Sequence, residues 1–519
     1  VDSNHLVHRF AAIAAARGDA PCLLEGSVRL TWHEVAERAD ALARGFRGAG
    51  LHPGDRLAVD LPNGIPWVIA LLGAAQAGLT VVPMDPGLGY HELQYQLRHA
   101  EVAGAVIPEV GGAFDYLELF DELLPTLPSL QLITYVGPGT AWFDDRGVPF
   151  EELLARGRRQ PPVVPPPADA APLALVYTAG TMGKPKGVIQ SHAGLVGCAL
   201  ATVAQLDLAD DEVFLLAVPL AHILGLSVLV AALAHGATIV LVPSVEPADL
   251  LAAIAHTGVT FLPGTPTLFE LLMRDPAFAA TDLGRLRRGI VAGGRVGAEL
   301  ADRIRRWCEV EVVYGLTEGG PVVAMTRRAD PADKRRDTVG LPLPGVEARV
   351  VDVRTGELHR GEALGELAVR SPYVMVGYHR MPNETARVMA NEGFLLTGDL
   401  ALIDDEGYLT LVARRKEVIV RAGLTVTPRE IEDMLRTHPG VEDACVLGVP
   451  HDVMGELICA CVVLVEGAVV TGPELRRFCQ DLLSSTKVPD LIRFFDGFPL
   501  SPSGQVRRQE LSRVVAMQE

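Results

Sequence analysis

Cysteine is sparse and unpaired in this sequence: seven residues are scattered over 519 positions, an odd number without a CxxC pair. That argues against a disulfide framework and against a zinc site. Cys459 and Cys461 alternate in an apolar run that reads as a strand, so burial accounts for them better than ligation does. Long apolar runs are missing too. The longest, Ile223 to Ala234, is broken by Gly225 and Ser227. It falls short of the roughly 20 residues a membrane span needs and reads as a buried helix. Basic charge is in deficit, with 46 Lys and Arg against 64 Asp and Glu and a formal charge of -18. A field of that sign repels nucleic acid and anionic membranes, so any phosphate must be held by local groups. Val1 to His5 carry no basic segment leading into an apolar one, so no secretory signal is read there and a cytoplasmic location is expected.

What is present describes a folded enzyme. The length exceeds what one hydrophobic core serves and suits two or three domains, and 49% hydrophobic with 21% charged residues is an ordinary globular composition. Leu30 to Glu34 reads as a capping box ahead of a helix whose Val35, Ala39, Leu42 and Phe46 share one face, with Gly48 and Gly50 ending it. A strand over 56–60, a helix over 66–77 and a strand over 79–83 follow, an alternation that predicts parallel sheets with crossover helices. The proline-rich stretch 158–172 is expected to be extended, either a domain linker or, the favoured reading, a surface loop leading into the next strand. The pattern changes after Ala413, which places a domain boundary near Lys416.

The richest segment runs from Leu173 to Val188. An apolar strand enters a loop, Thr178-Ala179-Gly180-Thr181-Met182-Gly183-Lys184-Pro185-Lys186, with glycine, hydroxyl and lysine residues crowded together. Glycines let several backbone N–H groups point at one anion, hydroxyls add donors and lysines add charge, which is the chemistry of a phosphate cradle. The spacing is not that of a Walker loop, because Gly180 and Gly183 are too close and proline follows Lys184.

This segment resembles the signature of the adenylate-forming superfamily of acyl-CoA synthetases, peptide adenylation domains and luciferases, departing from it at Ala179 and Met182, where two hydroxyls are lost. Val82 to Pro86, Pro219 to Leu226, Tyr314 to Glu318, Gly365 to Arg370, Thr397 to Leu400 and Arg414 to Glu417 follow in family order. The resemblance implies an α/β fold with a large, multi-subdomain N-terminal adenylation domain of mixed and parallel sheets flanked by helices, taken as 1–415. It also implies a small mobile α+β C-terminal domain, 416–519, hinged near Lys416. The implied reaction joins a carboxylic acid to AMP with release of pyrophosphate, then passes the acyl group to a thiol. ATP, magnesium and coenzyme A are the expected cofactors.

Roles follow residue by residue. Bringing a carboxylate against the α-phosphate joins two anions, so magnesium and cations must neutralise them. Glu318 is the expected metal ligand, since a hard cation prefers oxygen and keeps waters and phosphate oxygens as its other partners. Thr178 and Thr317 are expected on the phosphates with Lys186, Tyr314 on adenine, and Asp399 on the ribose hydroxyls with Arg414 beside it. Gly293 and Gly294, followed by Arg295, resemble the glycine wall of the adenine and acyl sites. Lys416 matches the hinge about which the C-terminal domain turns between the two half-reactions, and Gly423 matches the glycine bordering the pantetheine tunnel.

One position departs from the family where chemistry is expected. Pro499 to Arg508 resembles a motif with lysine after its glycine, and here that residue is Gln505. Three accounts stand open. A trapping substitution is favoured by the conserved length and lost charge, another cation such as Arg507 is the second, and loss of adenylation is the third. Val420 also stands where related ligases often carry lysine. Glu318 to Met325 is similar to the matching segment of 4-coumarate:CoA ligase and related aryl and medium-chain ligases. By that likeness His222, Leu224, Val228, Ala292, Gly293, Gly315, Pro321 and Val322 line the acid pocket, an apolar wall suited to an aromatic or short-to-medium aliphatic acid. Coenzyme A is the expected acceptor. A carrier-protein thiol, an amine or a hydroxyl are alternatives, as is a non-catalytic protein that only binds ATP or acyl-AMP.

Overall fold

The computed structural model describes residues 3–516 except 87, 112–113, 139–141, 143, 165–168, 179–184, 245, 295, 353–354, 360–362, 415–418, 422–423, 427, 452–454, 484–486 and 502–504. The chain divides into two compact units, 1–347 with 369–395, and 348–368 with 396–519.

The first unit is built on two large sheets. One, of nine strands, has its parallel core in Thr238–Leu241, Val213–Leu216, Phe261–Gly264, Arg288–Val291 and Glu309–Leu316. The other, of eight strands, has the parallel run Thr80–Pro83, Arg56–Val59, Val102–Pro108 and Leu132–Val136, and an antiparallel flank of Pro172–Thr178, Lys186–Ser191 and Gly377–Tyr378. Helices form the crossovers, as the sequence alternation predicts.

Local signals explain where these helices begin. At the helix Trp32–Gly48, Thr31 Oγ1 accepts from Glu34 N and the Glu34 carboxylate accepts from Thr31 N at 2.8 Å, a reciprocal cap that satisfies two otherwise orphaned donors. The helix Ile223–His235 buries every residue from Gly225 to Ala234, as a helix apolar on all faces must. It packs beside Phe214 and Phe261, whose rings stack at 4.3 Å. Each such side chain withdrawn from water contributes roughly 1.5–3 kcal/mol, which fixes the helix that carries Leu224 and Val228.

The second unit holds two five-stranded sheets. One orders Leu358–His359, Glu347–Val351, Ala363–Arg370, Leu395–Ile403 and Leu409–Arg414. The other is centred on the long antiparallel pair Val441–His451 and Gly455–Leu464, with the helices Pro428–Arg436 and Gly472–Leu482 and a core that includes Ile431, Leu435 and Leu475. All seven cysteines are free and buried, Cys459 and Cys461 among them. Among the described residues no helix is long and apolar enough to cross a membrane.

Candidate active site

The glycine and lysine loop hangs from an antiparallel ladder in the first unit. Strands Pro172–Thr178 and Lys186–Ser191 pair in register down to Thr178 opposite Lys186, and Thr178 Oγ1 donates to Lys186 O at 3.4 Å. The ladder fixes both ends of the loop. Ala179, Gly180, Thr181, Met182, Gly183 and Lys184 themselves lie outside the described residues.

From that stem a string of side chains reaches the acidic motif. Lys186 Nζ lies 3.5 Å from the Glu384 carboxylate and 4.6 Å from the centre of the Tyr378 ring. Tyr378 stands opposite Val188 in the sheet, and its hydroxyl donates to Glu318 Oε1 at 3.0 Å. Burial, and then the neighbouring Glu318 charge, push the Tyr378 phenol well above its ordinary pKa, so it stays a donor. One turn of the ladder away, buried Gln190 donates through Nε2 to Thr317 O at 2.5 Å. Thr178, Lys186, Thr317 and Glu318 are thus brought together through Tyr378 and Gln190. Among the described residues Glu318 has no cation paired with it, and a hydroxyl orients one of its oxygens. A half-buried carboxylate of that kind fits a hard divalent ion.

Of the residues expected to line the acid pocket, Gly315, Pro321 and Val322 lie on neighbouring strands and Leu224 and Val228 on the helix Ile223–His235. Tyr314 is buried in Glu309–Leu316, which pairs back on Gly320–Met325. At Gly315 a Cβ would sit 1.9 Å from Pro321 O, so only glycine permits this close turn. Gly293 has φ +78°, and a Cβ there would meet Leu224 at 3.4 Å and Thr265 at 3.5 Å, while one on Gly294 would meet Pro266. Val228 and Val322 share a small cavity of about 20 Å³ with Cys198, Phe214, Phe261 and Ile290. The polar atoms on its wall are turned away: Cys198 donates to Val322 O, Thr202 to Cys198 O and Ser227 to Leu224 O. Ala292 and Pro321 are buried in the same unit.

His222 caps the start of the helix Ile223–His235 in extended conformation. Its Nε2 is shielded from solvent and makes no hydrogen bond, and the nearest acidic oxygen, Asp85 Oδ2, is 3.4 Å away. The contact is electrostatic, because its geometry falls short of a hydrogen bond.

In the second unit two sequence motifs meet. Asp399 lies directly opposite Arg414 across the strands Leu395–Ile403 and Leu409–Arg414. The turn before Asp399 is held by Glu366, which accepts from Gly398 N at 3.2 Å, and by Thr397, which donates to Leu367 O at 2.9 Å. Gln505 is exposed; its N–H donates to Ser501 Oγ at 3.1 Å and its carbonyl accepts from Ser501 N at 2.7 Å. Lys416, Gly423 and Arg295 lie outside the described residues.

Tyr378, Gln190, Glu384 and Asp85 are neighbours of the candidate residues that sequence reasoning did not single out. Only Asp85 stood inside a recognised motif, Val82 to Pro86. The others are brought in by pairing between distant strands, which leaves no local mark.

A profile of AMP-binding enzymes matches residues 10–379, and one of the AMP-binding enzyme C-terminal domain matches residues 430–505. The chain belongs to the AMP-binding enzyme family. It is 34% identical over 520 residues to medium-chain acyl-CoA ligase ACSF2 of Mus musculus, covering 95% of this chain and 84% of that protein. It is 33% identical over 496 residues to feruloyl-CoA synthase of an Amycolatopsis species, covering 95% and 96%. Among solved structures, ATP-bound MatB of Rhodopseudomonas palustris superposes with a TM-score of 0.88 at 26% identity, covering 98% of each chain. Amide bond synthetase McbA of Marinactinospora thermotolerans superposes with 0.84 at 26%, covering 98% of this chain and 99% of that one. This AMP-binding enzyme is an ATP-dependent acyl-CoA ligase, which activates a carboxylic acid as its acyl-AMP and transfers the acyl group to coenzyme A.

Proposed function

We propose that this ligase activates an aromatic or short-to-medium-chain aliphatic acid. What supports the reading is the apolar wall around Val228 and Val322, which offers no charged group to an α-amino function; the space there, about 20 Å³, has room for about one water, so it marks the polarity of the lining and not the size of the acid. An amino acid would leave its charged α-amino group without a counter-ion against that wall, which is strongly unfavourable for an unpaired charge out of water. The names of two relatives, a medium-chain acyl-CoA ligase and a feruloyl-CoA synthase, are consistent with both classes.

In this reading Glu318 would hold magnesium, whose charge would offset that of the phosphates. Thr178, Lys186 and Thr317 donate to the phosphates, with the loop 179–184 cradling them. Tyr314 faces adenine, Asp399 accepts from the ribose hydroxyls beside Arg414, and Gly293, Gly294 and Gly315 leave room for the acyl-adenylate. Lys416 is the hinge between an adenylation domain, 1–415, and a turning C-terminal domain, 416–519, and Gly423 borders the thiol's path. Seven free cysteines support a reducing compartment such as the cytoplasm.

The test is acid-dependent pyrophosphate release across hexanoate, octanoate, benzoate, ferulate and phenylalanine, followed by mass detection of products with coenzyme A. Turnover of the four acids without an amino group, with acyl-CoA as product, is expected. Preference for phenylalanine overturns the pocket, and accumulation of free adenylate or of an amide redirects the acceptor.

A further inference from the structure

Two carboxylates leave neighbouring parallel strands on the same edge of the eight-stranded sheet. Val59 and Pro83 are register partners, and Asp60 and Asp85 lie just beyond them, at the carboxyl ends where α/β sheets gather their ligand-binding groups. Asp60 is the inner one. It is 2% exposed, its Oδ1 has no hydrogen-bond partner among the described residues, and the Tyr116 hydroxyl lies against it. Asp85 is the outer one, with 19% of its side chain exposed and its Oδ2 3.4 Å from His222 Nε2. His222 in turn begins the helix that carries Leu224 and Val228.

The arrangement divides the labour between the two acids. Burial first, and Asp85 second, push the Asp60 carboxyl up to about 8, since two neighbouring carboxylates cannot both stay charged out of water. Asp60 is therefore the neutral member at pH 7, and Asp85 is the carboxyl group that faces the imidazole. A carboxylate in front of Nε2 keeps the proton on that nitrogen and leaves Nδ1 as the acceptor.

We propose that Asp85, backed by Asp60, is a positioning residue that fixes the rotamer and tautomer of His222 at the mouth of the acid pocket. The inference rests on the acid pocket proposed above, and its test keeps the two apart. Wild type, Asp85→Asn, His222→Ala and the double variant are compared for acid-dependent pyrophosphate release at saturating ATP, with thermal midpoints taken on the same samples. Loss of a charge-assisted contact of this kind is expected to raise the KM for the acid about 10-fold in Asp85→Asn, with kcat within about 2-fold of wild type. The double variant is expected to be no worse than His222→Ala, because coupled residues do not add. A His222→Ala variant with unchanged acid KM sinks the pocket itself. A raised KM in His222→Ala alone, or an Asp85→Asn effect that persists in full without His222, overturns only the positioning role. Nitrogen-15 NMR of the wild-type histidines gives a reading that needs no variant: His222 protonated on Nε2 is expected, and protonation on Nδ1 alone refutes the proposal.

Discussion

The Tyr378 hydroxyl donates to Glu318 Oε1 at 3.0 Å while the face of the same ring carries Lys186 Nζ at 4.6 Å from its centre. One side chain thus touches both the acid proposed to hold magnesium and the lysine at the foot of the phosphate loop. Tyr378→Phe keeps the ring and removes the donor. A hydrogen bond to a charged group contributes about 1.5–3 kcal/mol, reduced here by solvent near the carboxylate. A drop of about 10-fold in kcat/KM for ATP is expected, together with a higher magnesium requirement and an unchanged thermal midpoint. Glu318→Gln removes the charge itself and is expected to cost about 100-fold or more. Pyrophosphate release titrated with magnesium measures both, and an unaltered magnesium curve in Tyr378→Phe removes Glu318 from the metal site.

Asp60 makes a prediction about stability. Its folded-state pKa, about 8, lies above the 3.8 of an unperturbed aspartic acid. The unfolded chain therefore releases this proton at lower pH than the folded one. Stability from this group is fully present below the unfolded value and is lost as pH rises through the folded one. Between pH 4 and 8 the loss is on the order of 5 kcal/mol. Asp60→Asn cannot titrate, so its thermal midpoint is expected to fall less than that of wild type over this window and to exceed it above pH 8. Parallel pH–stability curves for the two proteins would show that Asp60 is ionised in the fold throughout.

How far these features could be read from the chain alone depends on how local they are. The capping box at Thr31, the all-apolar helix from Ile223 and the strand–loop–strand around Thr178 are written in consecutive residues, so periodicity and turn chemistry reach them. Glu318 and its donor Tyr378 are sixty positions apart, and Gln190 and Thr317 are 127 apart. No spacing rule links such pairs until the strands are placed in one sheet. The grouping of residues 348–368 and 396–414 with the C-terminal part has the same origin, because the strands Glu347–Val351, Ala363–Arg370, Leu395–Ile403 and Leu409–Arg414 form one sheet. The change of pattern near Lys416 is a local mark, whereas that sheet is a non-local one. Asp85 was visible in its motif, but its contact with His222 was not, because His222 follows a strand of the other sheet.

Asp399 gives a test of the proposed ribose contact. It is buried opposite Arg414, and the backbone turn that leads into it is pinned by Glu366 and Thr397, so the position of the residue is set before any ligand arrives. A carboxylate accepts from both ribose hydroxyls, whereas an amide offers one oxygen and two donors. Asp399→Asn is expected to raise the KM for ATP about 10-fold and to lose most of the wild-type preference for ATP over 2′-deoxy-ATP. Steady-state kinetics with the two nucleotides read this directly. Undiminished discrimination would place the ribose elsewhere.

Gln505 offers the sharpest test of the first half-reaction. The residue sits exposed beside the Leu500–Val506 bridge, where the family resemblance expects lysine. Lysine has the reach to bring a positive charge to a developing anion, and glutamine of similar length brings only a dipole. Supplying such a charge typically changes a rate by about 100- to 1000-fold, so Gln505→Lys is expected to accelerate acyl-adenylate formation by that order. It is expected to leave thioester formation from preformed acyl-AMP unchanged, because that step begins after the α-phosphate has been attacked. Single-turnover measurements of each step separate them. If Gln505→Lys gains nothing and wild type is already fast, a second cation does the work, and Arg507 is the first to substitute. Its guanidinium is half exposed and only loosely engaged with Glu510 at 3.7 Å, so little is lost when it turns toward another anion. Arg507→Ala would then abolish adenylation in wild type and be rescued by Gln505→Lys, a reversal that neither residue's ordinary surface role produces.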